Sequence, residues 1–159
     1  MTDIQTLVPG FQTALERIPG TFSAYRNLAK ALEHATMPQR IRAQIALVVA
    51  QQVRCDYCLW ALGRMAEHQG LNAEDIVFAR AGTARNRREA AIVKLAYLMV
   101  SNGELRERIE CDPSYARVFG ETEIAEVLAH VAFSVLTCYI LQTLAPRARS
   151  GASQTRPAN

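Results

Sequence analysis

The sequence holds little lysine, few aromatic side chains and no run of alternating apolar and polar residues that would make a β-strand. Its only lysines are Lys30 and Lys94, so the formal net charge of +3 rests on arginine. That charge is mild, and no basic stretch is interleaved with aromatics, which argues against a nucleic-acid surface. The densest basic cluster, Arg85, Arg87 and Arg88, reads as a solvated loop. Without period-two alternation there is no sheet to expect. The longest uncharged run, Val131 to Pro146, is short and is interrupted by Ser134, Thr137 and Gln142. It does not reach the length of a bilayer span, so no membrane partner is expected. Met1 to Gln5 carry neither a basic nor an apolar stretch, so no secretion signal is read there and a cytoplasmic, reducing setting is expected.

Cysteine and histidine are also sparse. No second C-x-x-C and no closely spaced histidine pair completes a four-ligand set, so no metal is expected. In a reducing compartment the cysteine pair that does occur, Cys55 and Cys58, is better suited to chemistry than to stapling the fold.

What the chain does have is helix signal from end to end. Half of the 159 residues are hydrophobic, enough for one domain with a buried core. A first helix is expected over 23–35, with Ala24, Leu28, Ala31 and Leu32 inward. Pro38 then opens a second helix through Val53, burying Ile41, Ile45, Val48 and Val49. A third carries the cysteines and stops at Gly70. Asn72 caps a short fourth helix to Ala81, and Asn86 with Glu89 reads as a capping pair for a fifth that ends at Asn102-Gly103. Glu104 to Phe119, broken by Pro113, is expected as short helix plus turn. A final helix is expected from Thr122 to Leu144, with Ile124, Val127, Leu128, Val131, Val135 and Leu136 inward. The domain boundaries that follow are an extension over 1–20, a helical domain over 21–145 and a disordered tail over 146–159.

Cys55 falls where the second helix hands over to the third, so the pair sits at a helix N-terminus. Unpaired N–H groups there lower a thiol pKa, and the neighbouring Arg54 adds positive charge. Sulfurs one turn apart can exchange a disulfide, so one thiolate can attack a peroxide and the other close onto it. Two buried small hydrophobes remain the plain alternative. Cys111 reads as incidental and Cys138 as a buried core thiol. A thioredoxin-like reading fails, because it needs the pair at the end of a strand.

The stretch from Ile41 through Arg54-Cys55-Asp56-Tyr57-Cys58-Leu59 resembles the core of the alkylhydroperoxidase D / carboxymuconolactone decarboxylase superfamily. Gly70-Leu71-Asn72-Ala73-Glu74-Asp75-Ile76 resembles that family's step into the next helix. Ala79-Arg80-Ala81-Gly82 and Thr137-Cys138-Tyr139 are similar to further pieces of its peroxidase-like branch. The resemblance implies an all-α, oligomeric bundle, trimeric or hexameric, that reduces a hydroperoxide and is restored by a partner dithiol, with no cofactor. It also implies that Cys58 attacks and Cys55 resolves.

The chain departs from the family at the proton relay. Ala43 stands where the family has a glutamate, Leu62 where it has a histidine, and Val53-Arg54 where an Asn-Gly precedes the first cysteine. Cys138 replaces an asparagine, and Leu141-Gln142 an Asn-His pair. His130, Glu67 and His68 are the candidate substitutes for the relay. Tyr57 and Trp60 are expected either as a vestibule for an organic peroxide or as part of a subunit interface. The lost relay keeps two other readings open: a thiol–disulfide or redox-sensing protein, and an inactive oligomeric homologue.

Overall fold

The computed structural model describes residues 10–101 and 119–143. Every regular element among them is an α-helix: α1 (Phe11–Glu16), α2 (Thr21–Glu33), α3 (Gln39–Gln52), α4 (Asp56–His68), α5 (Ala73–Arg80), α6 (Arg87–Ser101) and α7 (Glu121–Thr143). The all-α expectation holds. The segment expected as helix plus turn, apart from Phe119, lies outside the described residues, as do Cys111 and the tail.

α3 is the axis of the packing and touches α4, α5, α6 and α7. Its sequence explains why. Ile41, Ile45, Val48 and Val49 fall on one stripe and meet Ile92, Val93, Leu95 and Ala96 of α6 and Val127 and Val131 of α7. Leu47 points the other way, to Ala66, Leu71 and Ala79, while Ala50 joins the cluster around Cys55 and Cys58. A helix whose apolar residues face several neighbours at once is largely buried.

The helix starts follow local hydrogen bonding. Asn72 and Asp75 form a reciprocal capping box: Asn72 Oδ1 accepts the Asp75 N–H at 2.9 Å and Asp75 Oδ2 accepts the Asn72 N–H at 3.1 Å. Burial pushes the Asp75 carboxyl up, but the Asn72 N–H and the Arg40 guanidinium more than offset it and hold it below the usual range. Asn86 caps α6 through the N–H groups of Arg88 and Glu89. The Glu89 carboxylate accepts instead from Gln44 Nε2 at 2.9 Å and Arg40 Nε at 3.4 Å, tying α6 to α3. Within the basic cluster, Arg85 pairs with Glu74 and Arg88 with Glu123.

In the stretch expected as an extension, Phe11 is fully buried and packs with Leu15, Tyr25 and Cys58. Six residues of α1 are too few to show a period in sequence. Three expectations need correction. α2 turns Tyr25 and Leu32 inward and leaves Leu28 exposed, because the Tyr25 ring stacks on Phe133 at 4.8 Å and meets Phe11 edge-on at 5.2 Å. In α7 the buried side includes Val127, His130, Val131, Thr137 and Cys138, while Leu128 and Leu136 are 51% and 46% exposed. The segment Glu121–Gln142 is also long and apolar enough to cross a membrane by length and composition, contrary to the expectation from the uncharged run alone. Here it packs on α3 and α6.

Candidate functional site

The turn between α3 and α4 is what places the cysteines. Arg54 adopts φ 55°, a left-handed conformation, and the chain reverses there. The Cys55 N–H then donates to the Ala50 carbonyl at 3.0 Å. Gln142 Nε2 of α7 donates to the Val53 carbonyl at 3.0 Å and fixes the turn from outside. The left-handed conformation costs an L-residue about 1–2 kcal/mol. The Arg54 side chain, expected as an activating neighbour of the thiols, is exposed. Its described contribution is this backbone turn.

Cys55 is the N-cap of α4, as expected from the hand-over between helices, and its Sγ accepts the Cys58 N–H at 3.2 Å. The two residues are joined as a disulfide with their Cα atoms 5.1 Å apart. Both are buried. Cys138 brings a third buried sulfur to the site, and the three Sγ atoms lie within 4.8 Å of one another. Burial pushes the Cys138 thiol up to about 12, so it stays neutral at ordinary pH. Once reduced, the trio places three sulfurs together, one fewer than the ligands of a structural zinc.

Beside the sulfurs, between α2, α3, α4 and α7, is a partly open cavity of about 150 Å³. Cys58 and Cys138 line one end, Leu62, Met65 and Phe133 the walls, and Arg42 and His130 the other end. Cys55 does not line it. The cavity exists because α3 presents Ala43 and Ala46 to it, side chains too small to fill the space. The Tyr25 hydroxyl closes one wall: Thr137 donates to the Phe133 carbonyl at 2.8 Å and accepts from Tyr25 at 2.9 Å.

Not all candidate residues meet here. Ala43 and Leu62, where the resemblance leads one to expect a glutamate and a histidine, both line the cavity, so the wall there is hydrocarbon. Glu67 and His68 are exposed near the end of α4 and do not line it; Glu67 is 3.7 Å from Arg64. His130 does line the cavity, but it sits eight positions before Cys138 on α7, about 12 Å along the axis. It is therefore not a direct base for the thiols. Burial and the nearby Arg42 cation push its imidazole below the ordinary range, against a smaller opposing pull from Glu126. Tyr57 and Trp60 pack on each other with ring centroids 5.9 Å apart, and neither lines the cavity. Trp60 is 58% exposed. Arg42 had no signal in sequence, since an arginine on a helix ordinarily faces water.

No protein-family model matches this chain, and no curated protein matches it in sequence. Among solved structures, it superposes on the debrominase Bmp8, determined as a cysteine-to-alanine variant in complex with 2,3,4-tribromopyrrole. The TM-score is 0.65 at 16% identity, covering 89% of this chain and 82% of that one. The two chains share a fold. At that identity the likeness speaks for the fold alone.

Proposed function

We propose that this protein is a dithiol oxidoreductase that reduces small organic hydroperoxides, Cys58 attacking and Cys55 resolving. The observation that carries the reading is Cys58 itself, bonded to Cys55 at a helix start and lining an apolar cavity. In the reduced protein the Cys58 thiolate attacks the terminal oxygen of the hydroperoxide, and the O–O bond breaks. The alkoxide takes a proton and leaves as an alcohol, and Cys58 becomes a sulfenic acid. The Cys55 thiolate then attacks Cys58 Sγ, forming the disulfide, and the expelled hydroxide leaves as water. One hydroperoxide and two thiols thus give one alcohol, one water and one disulfide, and a partner dithiol in a reducing cytoplasm restores the pair. The Cys58 N–H already directed at Cys55 Sγ supports a Cys55 thiolate for the second step. The resemblance to the alkylhydroperoxidase D branch supports the same assignment. A general base contributes about 10²–10⁴-fold, so with alanine and leucine at the relay positions the turnover is slow.

A second reading draws on the fold shared with a debrominase. The same dithiol would exchange a carbon–bromine bond of a small heteroaromatic for carbon–hydrogen, releasing HBr and forming the disulfide. The two readings separate when reduced protein is given cumene hydroperoxide in one vessel and 2,3,4-tribromopyrrole in the other. Cumyl alcohol without bromide is the expected result, lost in Cys58→Ser. Bromide without alcohol replaces the first reading with the second. Neither product, with both thiols still free, leaves an inert homologue.

The proposal extends to a homo-oligomer, a trimer or hexamer. It is supported by exposed apolar side chains on α4 and α7, among them Trp60, Leu128, Leu136 and Tyr139. Light scattering at the mass of one 17.6 kDa chain would contradict it.

A further inference from the structure

The end of the cavity away from the sulfurs holds two polar groups without partners. Arg42 Nη1 donates to the Leu32 carbonyl at 3.0 Å, which orients the guanidinium, yet Arg42 Nε is buried with no hydrogen-bond partner. Among the described residues no carboxylate is paired with it. His130 is 6% exposed, and its Nε2 is likewise buried and unpartnered. Glu126 stands 4.0 Å from that nitrogen, but its oxygens are committed to the Met37 N–H and the Thr36 hydroxyl, each at 2.6 Å. Glu33, the other acid at this end, is exposed. A buried donor left unmade costs about 1–3 kcal/mol, and native proteins seldom leave one without a reason.

We infer that Arg42 and His130 form a carboxylate-binding site at this end of the cavity. The substrate is then a small organic hydroperoxide whose carboxylate lies remote from its peroxide. With Nη1 held by Leu32, the guanidinium edge left over is Nε with Nη2, the pair of parallel donors that matches the two oxygens of a carboxylate. His130 Nε2 provides a third contact from the facing helix. The distance between the ends follows from α7, where His130 and Cys138 are separated by about 12 Å of rise. A cavity of about 150 Å³ admits a body of roughly the size of a benzene ring, so the apolar middle of the ligand is one ring or a short chain. The carboxylate site stands on its own observations, whereas the peroxide at the other end rests on the proposed reduction by Cys58.

The test uses the disulfide form, in which no turnover occurs. Calorimetric titration with 4-ethylbenzoate and with 4-ethylbenzyl alcohol compares two bodies of one shape that differ in the anion. Tighter binding of the benzoate by about tenfold or more is expected, as for a charge-assisted bidentate contact. Arg42→Gln should bring the ratio near one, and Arg42→Lys, which keeps the charge but loses the fork, should leave it between the two. Equal affinities in the wild-type protein overturn the inference, as does a benzoate preference that survives both substitutions. A benzoate preference in a protein that consumes no hydroperoxide would keep the carboxylate site and remove the peroxidase reading. Peroxide reduction without the preference would do the reverse.

Discussion

The two sides of α3 are made of different residues and do different things. Toward α6 and one half of α7 it presents Ile41, Ile45, Val48 and Val49, and that side is filled. Toward α2, α4 and the other half of α7 it presents Arg42, Ala43 and Ala46, and that side is hollow. Branched side chains interdigitate to crystal-like density, whereas two methyl groups facing Leu62 and Phe133 leave room for a ligand. The dense packing therefore lies on one side of a single helix and the proposed chemistry on the other. Substitutions on the two sides should report different quantities.

The largest effect is expected from the filled side. Ile45→Ala removes a fully buried side chain between α6 and α7 and should lower stability by about 2–5 kcal/mol in denaturant titration. The Cys55–Cys58 disulfide should still form in the folded fraction. A loss below 1 kcal/mol would mean that the core collapses around the gap and that the contrast between the sides is overdrawn.

On the hollow side, Ala46→Leu should fill the cavity instead of straining the core. Reduction of cumene hydroperoxide should fall by about tenfold or more while the melting temperature stays level or rises. Unchanged turnover would place the chemistry outside the cavity. Smaller still is the effect at the turn that joins the two sides. Arg54→Gly relieves a left-handed arginine and should stabilise the protein by up to about 1 kcal/mol, with turnover unchanged. A stable variant with a much slower reaction would return Arg54 to its expected role beside the thiols.

The weakest contrast is in pH. His130 is held below its ordinary value by burial and by Arg42, with Glu126 pulling upward, so the unfolded chain takes up this proton first. The stability present above about pH 6.5 is then lost as pH falls toward the folded value. Asp75, also held low, contributes its own loss only at more acid pH, through the range below the ordinary carboxylate value. The change in melting temperature between pH 7.5 and about pH 5 should therefore shrink in His130→Gln. An identical change in both proteins would remove His130 from the account.

Much of this division could be read from the sequence, and the parts that could not share a cause. The stripe of Ile41, Ile45, Val48 and Val49 is a clean helical period, and the Asn72 cap is local chemistry, so both were legible; the return bond from Asp75 was not read. The Cys55–Cys58 pair was legible from its position between two helices. α7 was misread at Leu128 and Leu136 because it is apolar nearly all round, so periodicity does not choose the buried face. That choice depends on the partners, and it is what brings Cys138 to the disulfide and His130 to the cavity. Arg42 was missed for the same reason, since only the packing of α2 and α7 over α3 buries its Nε. Tyr57 and Trp60 flank Cys58 in sequence, yet neither lines the cavity.

The central claim is that Cys58 meets a hydroperoxide in the cavity and that Cys55 closes onto it. The most direct measurement is a single turnover of the fully reduced protein with one equivalent of cumene hydroperoxide, followed by peptide mapping and product analysis. The account predicts one cumyl alcohol per chain and one Cys55–Cys58 disulfide, with Cys138 still a free thiol. In Cys55→Ser, Cys58 should stop at the sulfenic acid. A sulfenic acid that accumulates on Cys55 of the Cys58→Ser protein at the wild-type rate would reverse the roles. Unreacted thiols at both positions would contradict the account altogether.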